Sequence, residues 1–496
     1  MTRLDDATLR TLGPQLEIPT YDRGAVSTGI VHLGVGGFHR SHQAMYLDRL
    51  MAYGAALDWG ICGVGVLPGD ARMRDVLAEQ DGLYTLVLAH PDGFLQGRVI
   101  GSITEYLLAP DDPEAVLERM ADPGTRIVSM TVTEGGYNID PGTGRFDPDE
   151  PAVVADLVPG AVPRTVFGLV VEALARRRAR GLGPFTVMSC DNVSGNGDIA
   201  AHSFGTFAEL RDPELGAWVR EHVCFPNSMV DRITPGTTDL QREEVARRFG
   251  VDDGWPVIAE PWTQWVLEDA FSCGRPPLED AGVQLVEHVE PYELMKLRLL
   301  NAGHQVLGYL GSLAGFTYMH DVCQDPVFRA FLTGYLAEEA TPTLQPVPGV
   351  DLPAYRAELL ERFANPHIRD TLARLCVDSS ERIPKFLLPV VHDRLATGGD
   401  VTRAAVVIAA WARWAEGVDD AGRPLEMVDP RRTALQAAAR RQGEDPLAFL
   451  ADRDLFGDLV DDERFTSVYA AAARSLREHG ARVTVAAAAR GEPAEG

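Results

Sequence analysis

Two hydrophobic rhythms divide this chain near residue 285. Before that point, short apolar runs alternate with stretches whose apolar residues recur at helical spacing. The runs at 30–34, 59–66, 84–88, 126–132 and 185–189 predict strands. The intervals 42–53, 113–120 and 166–178 predict helices, and Pro113 suits a first helical position, where a missing N–H costs nothing. Strands that alternate with helices in this way predict βαβ units and a mostly parallel sheet. Beyond residue 285 the segments lengthen and become rich in Ala, Leu and Arg. The stretches 292–313, 327–340, 354–363, 401–415 and 465–479 all predict helices. The proline-rich segment 341–349 predicts an ordered crossover, the last eight residues predict a frayed tail, and no internal repeat is present.

At 496 residues the chain is too long for one ordinary core, so two domains are expected, 1–285 and 286–496. A net charge of −26 argues against nucleic acid and anionic membrane surfaces as partners. No apolar run approaches the ~20 residues of a membrane span, and the first residues, Met-Thr-Arg-Leu-Asp-Asp, lack an apolar signal core. A cytoplasmic location is the expectation. Six cysteines are scattered without CxxC pairing, which predicts reduced, mostly buried thiols.

The stretch Gly34-Val-Gly-Gly-Phe-His-Arg40 follows a predicted strand and opens a predicted helix. Glycines there let the backbone turn tightly and approach a pyrophosphate, which a helix N-terminus stabilises. His39 stands at the third glycine position of the fingerprint, so the pattern alone leaves dinucleotide binding open. Asp70 lies after the second strand, where a ribose-binding acid belongs, but at more than the usual ~20 residues from the glycines. A turn or N-cap residue ahead of a helix at 71–79 is the reading that the local pattern favours. His39 and His42 are three apart, yet no Cys or carboxylate at ligand spacing joins them, and no metal is expected. HExxH, GxSxG and Walker patterns are absent.

Only two of the 46 basic residues are lysines, Lys296 and Lys385. Biased codon usage would leave the same scarcity, but Lys can give up its proton where Arg cannot. Taking 292–313 as a regular helix at about 100° per residue, His304 falls roughly 80° and Asn301 roughly 140° from Lys296. All three can then face one pocket. A desolvated lysine can serve as a general base, Asn can donate to a developing alkoxide, and His can bond the reacting hydroxyl.

Several stretches together resemble a known family, the polyol-specific long-chain dehydrogenases, whose members include mannitol 2-dehydrogenases and fructuronate reductases. They are Gly34 to His42, Thr131-Val-Thr-Glu-Gly-Gly-Tyr137, Ser189-Cys-Asp-Asn192, Phe225-Pro-Asn-Ser-Met-Val-Asp-Arg232 and Lys296-x-x-x-x-Asn301-x-x-His304. The resemblance runs from about residue 28 to 480. It implies an α/β Rossmann-type N-terminal domain, a mostly α-helical C-terminal domain and an active site in the cleft between them. It further implies that Lys296 is the general base and that Asn192 and Asn301 form an oxyanion site needing no zinc. His304, Asp231 and Arg374 would hold substrate hydroxyls, and Glu134 would relay protons to solvent. Gly34, Gly36, Gly37 and Phe38 would line NAD, and Asp70 would hold the adenosine ribose. Arg382, where some relatives have Lys, and Lys385 would lie near the substrate. Because Gly69 stands where relatives can carry a second acid, use of NADP is not excluded. The stretches Phe-Pro-Asn227 and Ser379-Ser-Glu-Arg-Ile-Pro-Lys385 look more like the mannitol branch. Met-Lys-Leu-Arg-Leu-Leu-Asn301 also fits the fructuronate branch, and a dinucleotide-binding protein without catalysis is the reading from a different class. Relatives suggest a monomer.

Overall fold

In the computed structural model, which describes residues 1–140 and 145–491, the chain forms two compact units, Met1–Glu290 and Pro291–Gly496. The first is built on five parallel strands: β1 (Thr28–Leu33), β2 (Gly60–Gly65), β3 (Ile103–Leu108), β4 (Ile127–Met130) and β5 (Thr186–Ser189). Their order across the sheet is β5-β4-β1-β2-β3. The chain therefore reverses its direction of travel at β1, and the crevice beyond the carboxyl ends of β1 and β4 is the switch point at which such sheets hold ligands.

The near-continuous apolar strands follow from burial on both faces. Val31, Leu33, Val64, Val128, Met130 and Val187 join one core with Val116, Leu117 and Phe167. Ile30, Ile61, Ile127 and Met188 point the other way, toward Met45, Leu47, Leu50 and Trp265. The covering helices start where local chemistry lets them. Asp112 caps Pro113–Ala121 by accepting from Ala115 N at 2.9 Å, with Pro113 at the first position. Thr165 caps Val166–Ala179 through Gly168 N.

One predicted strand of the parallel set lies elsewhere. Tyr84–Ala89 pairs antiparallel with Leu95–Ile100 in a separate four-stranded sheet. The intervening five residues close with His90 N bonding Phe94 O and Gly93 at φ +86°, so the chain turns back as a hairpin before it reaches β3.

The second unit is helical. Every residue of Ala302–Leu313 is buried. Thr402–Trp414 packs against the long C-terminal helix Glu463–Ala489. That helix breaks at Gly480 (φ +77°), where Asp420 accepts from Ala481 N at 2.7 Å, so its first segment stops where the periodicity of 465–479 stops. The segment 341–349 begins with a 3₁₀ turn, Thr341–Thr343, inside this unit. Four cysteines are buried, Cys224 is half-buried and Cys273 exposed. No helix among the described residues is long and apolar enough to cross a membrane.

A tight backbone constraint sits at the end of β1. Gly34 has φ +89°, and a Cβ there would lie 2.2 Å from the carbonyl oxygen of Thr131. Gly34→Ala is expected to destabilise the first unit by about 3 kcal/mol or more through left-handed strain plus collision with backbone. Thermal melts would show it as a lowered transition, whereas Gly36→Ala, with nothing within 4 Å of its Cβ, should melt like the parent.

Candidate active site

The glycine turn is held by a chain of polar contacts that no spacing rule announces. Thr131 Oγ1 donates to Gly34 O at 2.6 Å, so it must accept from His32 Nε2 at 3.0 Å. His32 Nδ1 is then an acceptor and takes the Ser129 Oγ proton at 2.8 Å. Ser129 Oγ also lies 3.0 Å from the Gln43 carboxamide, whose two ends exchange by a half-turn. With its nitrogen toward Ser129, donors run unbroken from Gln43 through Ser129, His32 and Thr131 to the Gly34 carbonyl. Burial pushes His32 down to about 3, so it stays a neutral link.

His39, at the third glycine position, turns inward and stacks on His32 with centroids 3.4 Å apart. Its imidazole is held neutral by burial, with the neighbouring His32 adding to the effect. His42 Nε2 contacts Gln264 O at 3.0 Å, and Phe38 stacks on the His42 ring. Helix Gly37–Ser41 is short and kinks at His42 (φ −118°, ψ −95°) before Gln43–Ala52. Gly36 is exposed and Gly37 meets only a Thr234 methyl, at 3.7 Å from a built Cβ, so the turn leaves open space for a dinucleotide backbone.

Asp70 ends the short turn Pro68–Asp70 after β2. Its side chain does not cap the following helix, Ala71–Glu79. Instead Oδ2 accepts the amides of Val66 and Leu67, both at 2.9 Å, which orients the carboxylate at the strand's end. The turn expected of Asp70 is present and the N-cap is not.

The carboxylate of Asp191 joins the stretches after β4 and β5. It accepts from Thr133 N at 2.9 Å, Val132 N at 3.1 Å and the Tyr137 hydroxyl at 2.8 Å. Thr133 itself has φ +64°. Asn196 extends the brace, donating to Asp191 O at 3.0 Å and Ser228 O at 2.8 Å while accepting from Ser228 N at 2.9 Å. The two candidates carried on this brace differ in exposure. Asn192 is exposed, and Asp231 is buried, with Trp262 Nε1 donating to it at 3.3 Å. The side chain of Glu134 lies outside the described residues.

In the second unit the regular helix expected over 292–313 has an interruption. Glu290–Lys296 and Ala302–Leu313 are α-helical, but Leu297–Asn301 between them is a π turn, in which Ala302 N–H reaches Leu297 O. A π turn advances only about 80° per residue. Asn301 then falls roughly 50° from Lys296, and His304 almost directly in line with it. The 80° and 140° offsets of a regular helix are corrected accordingly. Lys296 is buried, Asn301 half-buried and His304 buried.

His304 stacks on Phe363 with centroids 4.4 Å apart, and its Nε2 has no partner among the described residues. Burial, followed by the charges of Arg374, Arg362, Arg382 and Lys296, holds this imidazole neutral, well below its usual range. Asp370, itself buried, receives Arg374 through both Nε, at 2.6 Å, and the second guanidinium nitrogen. Arg382 donates to Leu375 O at 3.0 Å. Lys385 stands apart from these: its side chain is half exposed and pairs with Glu381 at 3.5 Å. Arg362, Phe363 and Asp370 carry no pattern in the sequence that would have singled them out. Asp191 stands within Ser189–Asn192, where its residue type alone assigns it no role.

The sequence profile of the mannitol dehydrogenase Rossmann domain matches residues 28–280, and that of the mannitol dehydrogenase C-terminal domain matches 288–477. The mannitol 2-dehydrogenase of Phaeosphaeria nodorum is 48% identical over 494 residues, covering 98% of this chain and 86% of its own. That of Aspergillus fumigatus is 48% identical over 480 residues, 95% of each chain. Among solved structures, Pseudomonas fluorescens mannitol 2-dehydrogenase in ternary complex with NAD and D-mannitol aligns with TM-score 0.91 at 43% identity, covering 98% of this chain and 99% of that one. A substrate-free D-sorbitol dehydrogenase aligns with TM-score 0.88 at 38% identity, covering 97% and 100%. With both units matched by profile and relatives spanning nearly the whole chain, the protein belongs to the mannitol dehydrogenase family.

Proposed function

We propose that this protein interconverts D-mannitol and D-fructose with NAD, by metal-independent hydride transfer from C2 of the polyol. The observation that carries the reading is the buried Lys296 on one helix with Asn301 and His304, in a chain that aligns over nearly its whole length with a mannitol 2-dehydrogenase holding NAD and D-mannitol. The open glycine turn and the oriented Asp70 fit a dinucleotide. When bound, that dinucleotide supplies the hydride acceptor. Gly34, Gly36, Gly37 and Phe38 line it, and Asp70 takes the adenosine ribose. Use of NADP is left to measurement.

Lys296 Nζ accepts the proton of the reacting hydroxyl as the C–H bond breaks, and the carbonyl forms. Asn192 and Asn301 donate to the oxygen as it gains negative charge. His304, neutral and with Nε2 unpartnered, bonds a substrate hydroxyl, as do Asp231 and the face of Arg374 left open by Asp370. Glu134 passes the proton on toward solvent. Arg382 and Lys385 border the substrate. We also propose a cytoplasmic monomer that needs no metal; among the described residues, no three His, Cys, Asp or Glu side chains are grouped as metal ligands.

One observation favours a second reading. The charges acting most strongly on His304 are all cationic, from Arg374, Arg362, Arg382 and Lys296, which would suit the carboxylate of fructuronate.

NADH oxidation with fructose and fructuronate side by side separates the two: preference for fructose is expected, and clear preference for fructuronate overturns the mannitol assignment. Lys296→Ala should lower kcat roughly 10²- to 10⁴-fold while NADH titrations stay near the parent value. Lys296→Arg should fail as well, because guanidinium does not give up its proton. Exhaustive chelation should leave turnover unchanged; a loss restored by zinc would end the metal-independent mechanism.

A further inference from the structure

The π turn brings Lys296, Asn301 and His304 toward one line, yet a wider turn is less favourable than the α turns on either side and needs support. Its bonding is displaced: Ala302 N–H, which in an α-helix would serve Arg298 O, turns to Leu297 O and Leu299 O. The hydroxyl of Tyr335 stands 3.4 Å from that Arg298 carbonyl. Tyr335 is fully buried and is itself the first residue of a second π turn, Tyr335–Ala340, so its own position is set by packing. The Arg298 side chain is pinned from outside. Its guanidinium donates to Thr343 O at 2.9 Å and to Asp393 at 2.6 Å. The π turn is thus gripped at one residue by carbonyl and side chain together, from two segments distant in sequence, 335–343 and the helix that carries Asp393.

We infer that Tyr335, Arg298 and Asp393 are positioning residues that hold the π turn and thereby set where Lys296 stands relative to Asn301 and His304. None of the three is among the residues proposed above to contact substrate. The inference rests on Lys296 being the base, and it extends that reading to what keeps the base in register. Were the turn to relax to α geometry, Asn301 and His304 would swing roughly 80–90° away from Lys296. Cofactor binding belongs to the first unit and would not follow.

Tyr335→Phe removes the hydroxyl and keeps the ring, and Asp393→Ala cuts the pin at its half-exposed end. In the full-length enzyme with NAD and D-mannitol, Tyr335→Phe is expected to lower kcat roughly tenfold and to shift the pH limb of kcat, with the NADH dissociation constant unchanged. Asp393→Ala should do the same to a smaller degree, about two- to threefold. Unaltered kcat and pH profile in both variants would overturn the positioning role. So would a loss of NADH binding in proportion to a lowered melting temperature, since that marks general packing damage. If Lys296→Ala keeps parental turnover, the general-base reading fails instead. Loss of turnover in Lys296→Ala, with both positioning variants intact, leaves the base standing and removes only the grip.

Discussion

Five parallel strands with no wet face are the constraint from which the first unit follows. A parallel sheet joined by crossovers must be covered on both sides, so its strand positions are mostly apolar, and the polar ones at its centre, His32 and Ser129, are spent on internal hydrogen bonds. Polar work is displaced to the carboxyl ends of the strands. There β1 runs into Gly34, β2 into Asp70, β4 into Thr131–Tyr137 and β5 into Asp191 and Asn192. The order β5-β4-β1-β2-β3 opens a crevice beside β1, and the glycine turn lies in it.

What keeps those loop ends in place is a small number of buried polar groups bonded to one another. Asp191 takes two backbone amides and a tyrosine hydroxyl, and Asn196 carries the brace on to Ser228. The Gln43–Ser129–His32–Thr131 chain ends on the carbonyl of Gly34. An unpaired polar group at such depth costs on the order of 1–3 kcal/mol. Breaking one link leaves its neighbour exposed to that cost, and the loops inherit the geometry of the links that hold them.

The second unit solves a different problem with helices. Its cationic groups are gathered around a neutral histidine, and Asp370 neutralises one of them. The Lys296 helix is not a passive rod here. Its π turn changes the phase between residues only a few positions apart, so the spacing of functional side chains along the chain differs from their spacing around the axis.

Much of this was legible along the chain. Strand and helix positions, the glycine turn and the helix starts obey local rules of period, φ and capping, which depend on neighbours within four or five residues. Pro113 and Gly34 carry their structural reason in their own covalent geometry. The stretch 84–88 was legible as a strand but not as a member of another sheet, because strand identity is local and strand pairing is not. Lys296, Asn301 and His304 could be named from residue type, but their angular relation could not, since a π turn leaves no mark in hydrophobic period. Arg362 is one arginine among 44, and nothing in sequence separates it until Phe363 packs on His304. By itself the sequence determined the elements and the inventory of chemical groups, because both follow from interactions within a turn or two. Only the tertiary structure decided which groups meet, which stay neutral and how the lysine helix is phased, because desolvation and hydrogen-bond partners come from segments far apart in the chain.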